Sequence, residues 1–184
     1  MNYTQIVTPT SEPLSLADAK EFMRILESDD DALITSMIVG AREFAENYTN
    51  RQFKDATFEL ITNRFVQDMK LRHNPVKSIS KIEYMDANGD YQILSTDEYY
   101  LYFDNGIGRL HFGTLPNYKD DKRAVKITFV SGYTTVPASI VSFLKVFVST
   151  IYENREFYVI GVSVDKFANP MLMQMLNFYR IQPI

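Results

Sequence analysis

The sequence predicts an α+β protein: a small helical bundle (three main helices plus a short C-terminal helix) with an inserted antiparallel β-meander. Apolar residues recur at helical spacing between Leu16 and Tyr48. From about Gln52 to Val130 the period changes to alternation broken by turn signals, and after Pro137 it returns to helical. The 184 residues are expected to form one domain, 1–184, made of a helical pair at 14–51, a β insertion at 52–132, a long helix at 137–154 and a short C-terminal helix at 170–180. A chain of this length buries a sizeable core without staples.

Residues 1–13 are polar, are punctuated by Pro9 and Pro13, and read as an extended arm. Ser15 is a good N-cap for the first helix, and Asp18 three residues on resembles a weak capping box. Leu16, Ala19, Phe22, Met23 and Leu26 form its apolar face, and the stretch from Glu27 to Asp31 breaks it. Three adjacent aspartates then precede an apolar-striped segment. Carboxylates at a helix N-terminus are favoured by its exposed N–H groups, by about 0.3–1 kcal/mol, so Asp30 and Asp31 are expected to cap the second helix. A metal site would need further ligands that nothing nearby supplies.

Two ridges make the apolar stripe of this second helix. One is Leu33, Met37, Gly40 and Phe44; the other is Ile34, Ile38, Ala41, Ala45 and Tyr48. Thr35, Arg42, Glu43 and Glu46 fall mainly on the opposite side. Gly40 costs about 1 kcal/mol relative to Ala in a helix interior, so it is expected to mark a place where another backbone crosses closely. Asn50 can end the helix.

The segments "ATFELIT", "ISKIEYMD", "YQIL", "YYLYF", "GRLHF" and "AVKITFV" are short and rich in β-branched and aromatic residues, and predict five to seven strands. Asn88-Gly89 is expected to be a two-residue hairpin turn, and "DNGIG" (Asp104–Gly108) a second turn. "DANGD" is too short for a calcium loop. Pro137 suits the first turn of the third helix. Ile140, Val141, Leu144, Phe147, Val148 and Ile151 lie on its core side, while Phe143 and Val146 extend the apolar surface around it. Residues 154–169 are expected to be a loop or mobile excursion, followed by a short helix after Pro170.

The formal charge is −4 with no dense Lys/Arg cluster, which argues against gripping nucleic acid through phosphates. No cysteine is present, which removes disulfides and thiolate metal sites. No apolar run is long enough for a spanning helix, and the N-terminus does not read as a secretory signal. Of the two histidines, His73 belongs to a loop and His111 to a strand, where one hydrogen bond or solvent is expected for it. No nucleophile elbow, phosphate loop or dinucleotide fingerprint appears. The tyrosines of "DEYYLYF" could stack on sugars or bases, but an acidic setting favours a sheet with aromatic residues on both faces. No catalytic, cofactor-binding or metal residue is therefore expected.

The serial order carries more than any one motif. It runs "PLSLADAKEFMRI", "DDDALITSMIVGAREFAENYTNRQF", "NPVKSISKIEYMDANG", then "VKITFVSGY" and "VPASIVSFLKVFVSTIYENRE", with "NPMLMQMLNFYR" at the end. Over nearly its whole length the chain resembles the head–tail connector (adaptor) proteins of tailed bacteriophages. The resemblance implies a structural virion protein at the head–tail junction, assembled in the host cytoplasm. It implies a homo-oligomeric ring under the portal protein, usually twelvefold, with the isolated chain possible as a monomer. The ring would extend the DNA channel, pass DNA without specific binding, and dock a tail-completion protein; no membrane is involved. Helices at Ser15–Leu26, Ala32–Thr49 and Ala138–Glu153 would build the ring. The over-apolar third helix and Gly40 mark the expected contact surface: Gly40, Phe44, Phe143, Val146 and Phe147. The N-terminal arm and residues 154–169 are candidates for ordering on binding. The alternatives are a tail-terminator or tail-completion protein, or a carboxylate-dependent hydrolase.

Overall fold

The alternation read from Ala56 to Thr62 becomes a strand whose side chains point by turns into a core and out of it. The structure, a computed structural model, describes residues 1–154 and 170–182. These fall into two compact units, a sheet unit (Met1–Thr10 with Lys54–Tyr133) and a helical unit (Ser11–Phe53 with Thr134–Ile184). The loop expected at 154–169 lies, from residue 155 onward, outside the described residues.

In the sheet unit, β1 (Asn2–Val7), β2 (Ala56–Thr62), β4 (Val76–Met85), β5 (Tyr91–Ile93) and β8 (Val125–Ser131) form one antiparallel sheet. Its strand order is β1-β2-β8-β4-β5. Strands β3 (Met69–Lys70), β6 (Tyr99–Asp104) and β7 (Ile107–Phe112) form a second sheet in the order β3-β7-β6. This is no simple meander, because β8 is last in sequence yet sits between β2 and β4. Val125, Ile127, Phe129 and Ser131 alternate onto one face and are all buried, and Thr128 is buried on the other, as suits a strand with neighbours on both edges. Phe58, Leu60, Ile82, Ile127 and Phe129 of the larger sheet share one apolar cluster with Met69, Leu110 and Phe112 of the smaller.

The N-terminus is not a free arm. Residues 2–7 pair with β2 as an edge strand, and Tyr3 turns inward against Phe129 at 6.4 Å. Burial raises the Tyr3 pKa. The two turn signals exchange roles. Asn105-Gly106 is the tight two-residue turn, with Asp104 paired to Ile107 and φ of 51° and 73°. At Asn88-Gly89 the connection is longer: Asp86 N–H donates to Asp90 O at 2.8 Å, and the Asp86 carboxylate accepts from the N–H groups of Asn88, Gly89 and Asp90. The chain leaves the sheet at Gly132 with φ +147°, where a Cβ would lie 2.7 Å from Asp55 Oδ1 and 2.8 Å from Asp55 N.

The helical unit contains α1 (Leu16–Met23), α2 (Asp31–Thr49), α3 (Ala138–Glu153) and α4 (Pro170–Asn177). Helix α1 stops earlier than expected. Arg24 adopts φ 59°, and Ile25 N–H closes back on Lys20 O at 3.0 Å. Leu26 therefore falls outside the helix and is 91% exposed, and Phe22 is also exposed. Asn50 ends α2 at φ 55°, with Arg51 N–H on Glu46 O. Ile34, Ile38, Ala41 and Ala45 of α2, Ile140, Phe143, Leu144 and Val148 of α3, and Leu172 and Leu176 of α4 are buried.

Candidate assembly surface on the helical unit

The three aspartates before α2 have three different fates. Asp29 is exposed. Asp30 stands at the N-cap position, but its φ −98°, ψ 9° does not aim the carboxylate at the helix N–H groups, and it makes no capping bond. It accepts instead from the Tyr152 hydroxyl of α3 at 2.6 Å. Asp31 pairs with Lys20 of α1 at 2.6 Å. Asp30 therefore holds the N-cap position and Asp31 the first turn, as expected, but neither carboxylate bonds the helix N–H groups: one ties α2 to α3, the other ties α2 to α1. Ser15 does cap, accepting from Asp18 N–H at 3.0 Å.

Arg42, expected on the polar face, is only 6% exposed. Its guanidinium donates to Glu12 at 2.7 Å and to Glu46 at 2.6 Å. Glu46 also accepts from Gln52 Nε2 and from Phe53 N–H, both at 2.8 Å. Burial opposes the charge on Arg42, but Glu12 and Glu46 outweigh it and its pKa is raised. Burial raises the Glu46 pKa despite the Phe53 N–H and Arg42. The network joins the segment before α1, the middle of α2 and the chain after it. The Arg42–Glu46 spacing was readable as an i,i+4 pair; Glu12, thirty residues away, gave no such signal.

Of the five residues expected on a contact surface, the structure brings three together. Phe44 stacks on Phe147 at 5.0 Å and on Phe143 at 6.4 Å, and Phe143 stacks on Phe147 at 5.3 Å. Such pairs add about 0.5–1.5 kcal/mol each beyond the area buried. Exposure grades along the stack: Phe143 is fully buried, Phe147 partly, and Phe44 is 40% exposed. Phe143 is therefore core, and Phe44 is the ring of these three that reaches solvent. The stack continues through Tyr48 at 6.3 Å to the Arg180 guanidinium at 4.9 Å from the Tyr48 ring. Val146 is 39% exposed on α3. Gly40 is exposed, and a Cβ there would meet nothing within 4 Å. Among the described residues no backbone of this chain crosses it, so the expectation of a close approach is not met there. It leaves an open notch one turn before Phe44.

The sheet unit holds both histidines. His73 stacks on Phe58 at 4.1 Å, and burial lowers its pKa. His111 on β7 meets Asp68 at 2.7 Å, and Asp68 also accepts from the Tyr102 hydroxyl at 3.2 Å. The hydrogen bond from His111 is the main reason the Asp68 pKa is lowered. In "DEYYLYF", Tyr100 stacks on His111, while Tyr99 and Leu101 pack against the core. Aromatic residues thus occupy both faces of β6. Among the described residues no group of three or more His, Asp or Glu is placed to hold a metal ion.

A model of the head completion protein family matches residues 12–163. The fold is similar to that of a chain in the neck of an empty GTA particle computed with C6 symmetry, with TM-score 0.82, 18% identity, and coverage of 100% of this chain and 97% of that one. It is similar to a chain in the virion of a native gene transfer agent (GTA) particle, with TM-score 0.81, 20% identity and the same coverage. A chain in the neck of a native GTA particle computed with C12 symmetry gives TM-score 0.77 at 17% identity, again covering 100% and 97%. At these identities the likeness is one of fold. No curated protein matches the chain in sequence.

Proposed function

The chain belongs to the head completion protein family, and on that premise we propose that it is a structural head–tail connector that works as a ring-forming adaptor at the head–tail junction of a virion. Copies assemble under the portal protein, with twelvefold symmetry, extend the DNA channel and present a surface to a tail-completion protein. Its role is structural rather than catalytic. The observation that carries this reading is the family match across residues 12–163, joined to a fold shared with chains of particle necks computed with C6 and C12 symmetry.

Two physical features support it. Helices α2 and α3 leave Phe44, Val146 and the Gly40 notch uncovered, and an apolar surface of this kind is completed by another protein surface. A repeating heterologous contact through it closes into a ring. The charge is also unevenly placed. The sheet unit carries eleven Lys and Arg against eleven Asp and Glu, whereas the helical unit carries eight against twelve. Acidic helices lining a conduit repel DNA phosphates and let the genome slide.

Electron micrographs of the purified chain, alone at high concentration and with portal particles, test the proposal. Rings, or added density under the portal, are expected. Phe44→Ser with Val146→Ser should weaken assembly by at least about tenfold, a loss of about 1.4 kcal/mol, while helical content stays unchanged. A chain that forms no ring and binds neither portal nor tail-completion protein would overturn the reading.

A further inference from the structure

The larger sheet carries a groove on the face turned away from its core. Asn2 pairs with Ile61 and Thr4 with Glu59, which places these four side chains on the side opposite Tyr3, Phe58 and Leu60. Together with Lys122 and Arg123 they line a cavity of about 760 Å³. Lys122 and Arg123 are exposed and take part in no ion pair among the described residues. Their loop is nevertheless fixed: Arg123 N–H donates to Asp121 Oδ1 and Arg123 O accepts from the Tyr91 hydroxyl, both at 2.8 Å. Lys126, opposite Ile61 in the register, is held 3.7 Å from the Tyr91 ring centroid and adds a third cation at that end. The site is a floor of Ile61 and Glu59 beside a wall that carries Lys122 and Arg123.

We propose that this groove receives the corner between α1 and α2, residues Leu26 to Asp29, of a neighbouring copy of the chain. The inference rests on the ring reading and gives it a specific contact. The corner has the complementary chemistry. The left-handed closure at Arg24 throws Leu26 out to 91% exposure. Glu27 and Asp29 beside it are exposed and make no hydrogen bond or ion pair among the described residues, whereas Asp30 and Asp31 are engaged within the unit. Leu26 would seat on Ile61, with Glu27 and Asp29 against Lys122 and Arg123. The excess negative charge of the chain lies in the helical unit, and the sheet unit is balanced, so the contact joins unlike surfaces. Because this corner of the chain carries the apolar and acidic groups that match the groove, the occupant is a second copy. A contact between two different surfaces of identical chains is heterologous and propagates around a ring.

The sequence contains no cysteine, which gives disulfide trapping a clean background. The double variant Leu26→Cys with Ile61→Cys is oxidised under the conditions used for micrographs, with each single variant as control. A ladder of covalent oligomers that ends at the ring size is expected, with no ladder from either single variant. A charge swap gives an independent readout. Lys122→Glu with Arg123→Glu, and separately Glu27→Lys with Asp29→Lys, should each raise the concentration for half-assembly by at least about tenfold. Combining all four changes in one chain should restore it. Rings without a ladder and without a charge-swap effect would overturn this contact and leave the ring reading standing. Absence of rings, portal binding and ladder together would remove both.

Discussion

Replacing Arg42 by Met tests whether the buried ion network holds the helical unit together. Arg42 is 6% exposed and its partner Glu46 has an 11% exposed side chain. Met keeps much of the aliphatic volume but leaves the Glu46 carboxylate, still bound to Gln52 and Phe53 N–H, without its cation. Removing one member of a buried pair costs about 3–5 kcal/mol, because the remaining charge is uncompensated. Glu12, with a 22% exposed side chain, loses the same partner at smaller cost. The double variant Arg42→Met with Glu46→Gln removes the stranded charge and should recover most of the loss. The pH dependence has a definite sign. Burial raises the Glu46 pKa in the folded protein, so the folded state binds the proton more tightly than the unfolded state does. The stability this confers is full at low pH and is lost as pH rises through the folded value. Without Arg42 the pKa rises further, so the deficit of the single variant should shrink as the pH is lowered and Glu46 takes up its proton. Among the described residues the four α-helices all belong to the helical unit, so urea unfolding followed by the helical far-UV circular dichroism signal reports on that unit. A loss below about 1 kcal/mol, or a double variant no more stable than the single one, would refute the argument.

Gly40→Ala should stabilise the isolated chain by up to about 1 kcal/mol, since the added methyl meets open space and the helix loses its most flexible residue; a drop in melting temperature would show a hidden constraint there. Gly40→Leu and Thr35→Leu, both at exposed positions, should melt alike, but the first should impair ring assembly because it fills the notch before Phe44. Gly132→Ala should destabilise the sheet unit by about 1–3 kcal/mol, because its φ of +147° and the Asp55 backbone leave no room for a Cβ; unchanged urea unfolding followed by tyrosine fluorescence would refute this.

The candidate surface was partly legible. The spacing along α3 put Phe147 on its core side and Phe143 beside that side, whereas Phe143 is the fully buried ring and Phe147 the partly buried one; Phe44 could be placed on an apolar ridge of α2. Which ring was core and which met solvent could not be read, because that depends on where α2 lies against α3. Arg42 failed for the same reason. On a helical wheel it is polar and outward, but Glu12 reaches it from a segment thirty residues earlier. Leu26 was assigned to a helical face because its spacing fits, yet a left-handed Arg24 ended the helix three residues sooner. Two Asn-Gly pairs looked alike, and only the strand register made Asn105-Gly106 the tight turn.

The sequence by itself determined the order and type of the elements other than β1 and the two-residue β3, because helical and alternating periods are local and survive without knowledge of the partners. It also determined the family, because the serial order of the quoted stretches is a property of the chain. Tertiary structure alone decided that β8 lies between β2 and β4, that Arg42 and Glu46 are buried as a network, and that the three aspartates serve three ends. Each of those outcomes depends on contacts between residues far apart in sequence, and side-chain spacing along one element carries no information about what will lie across from it.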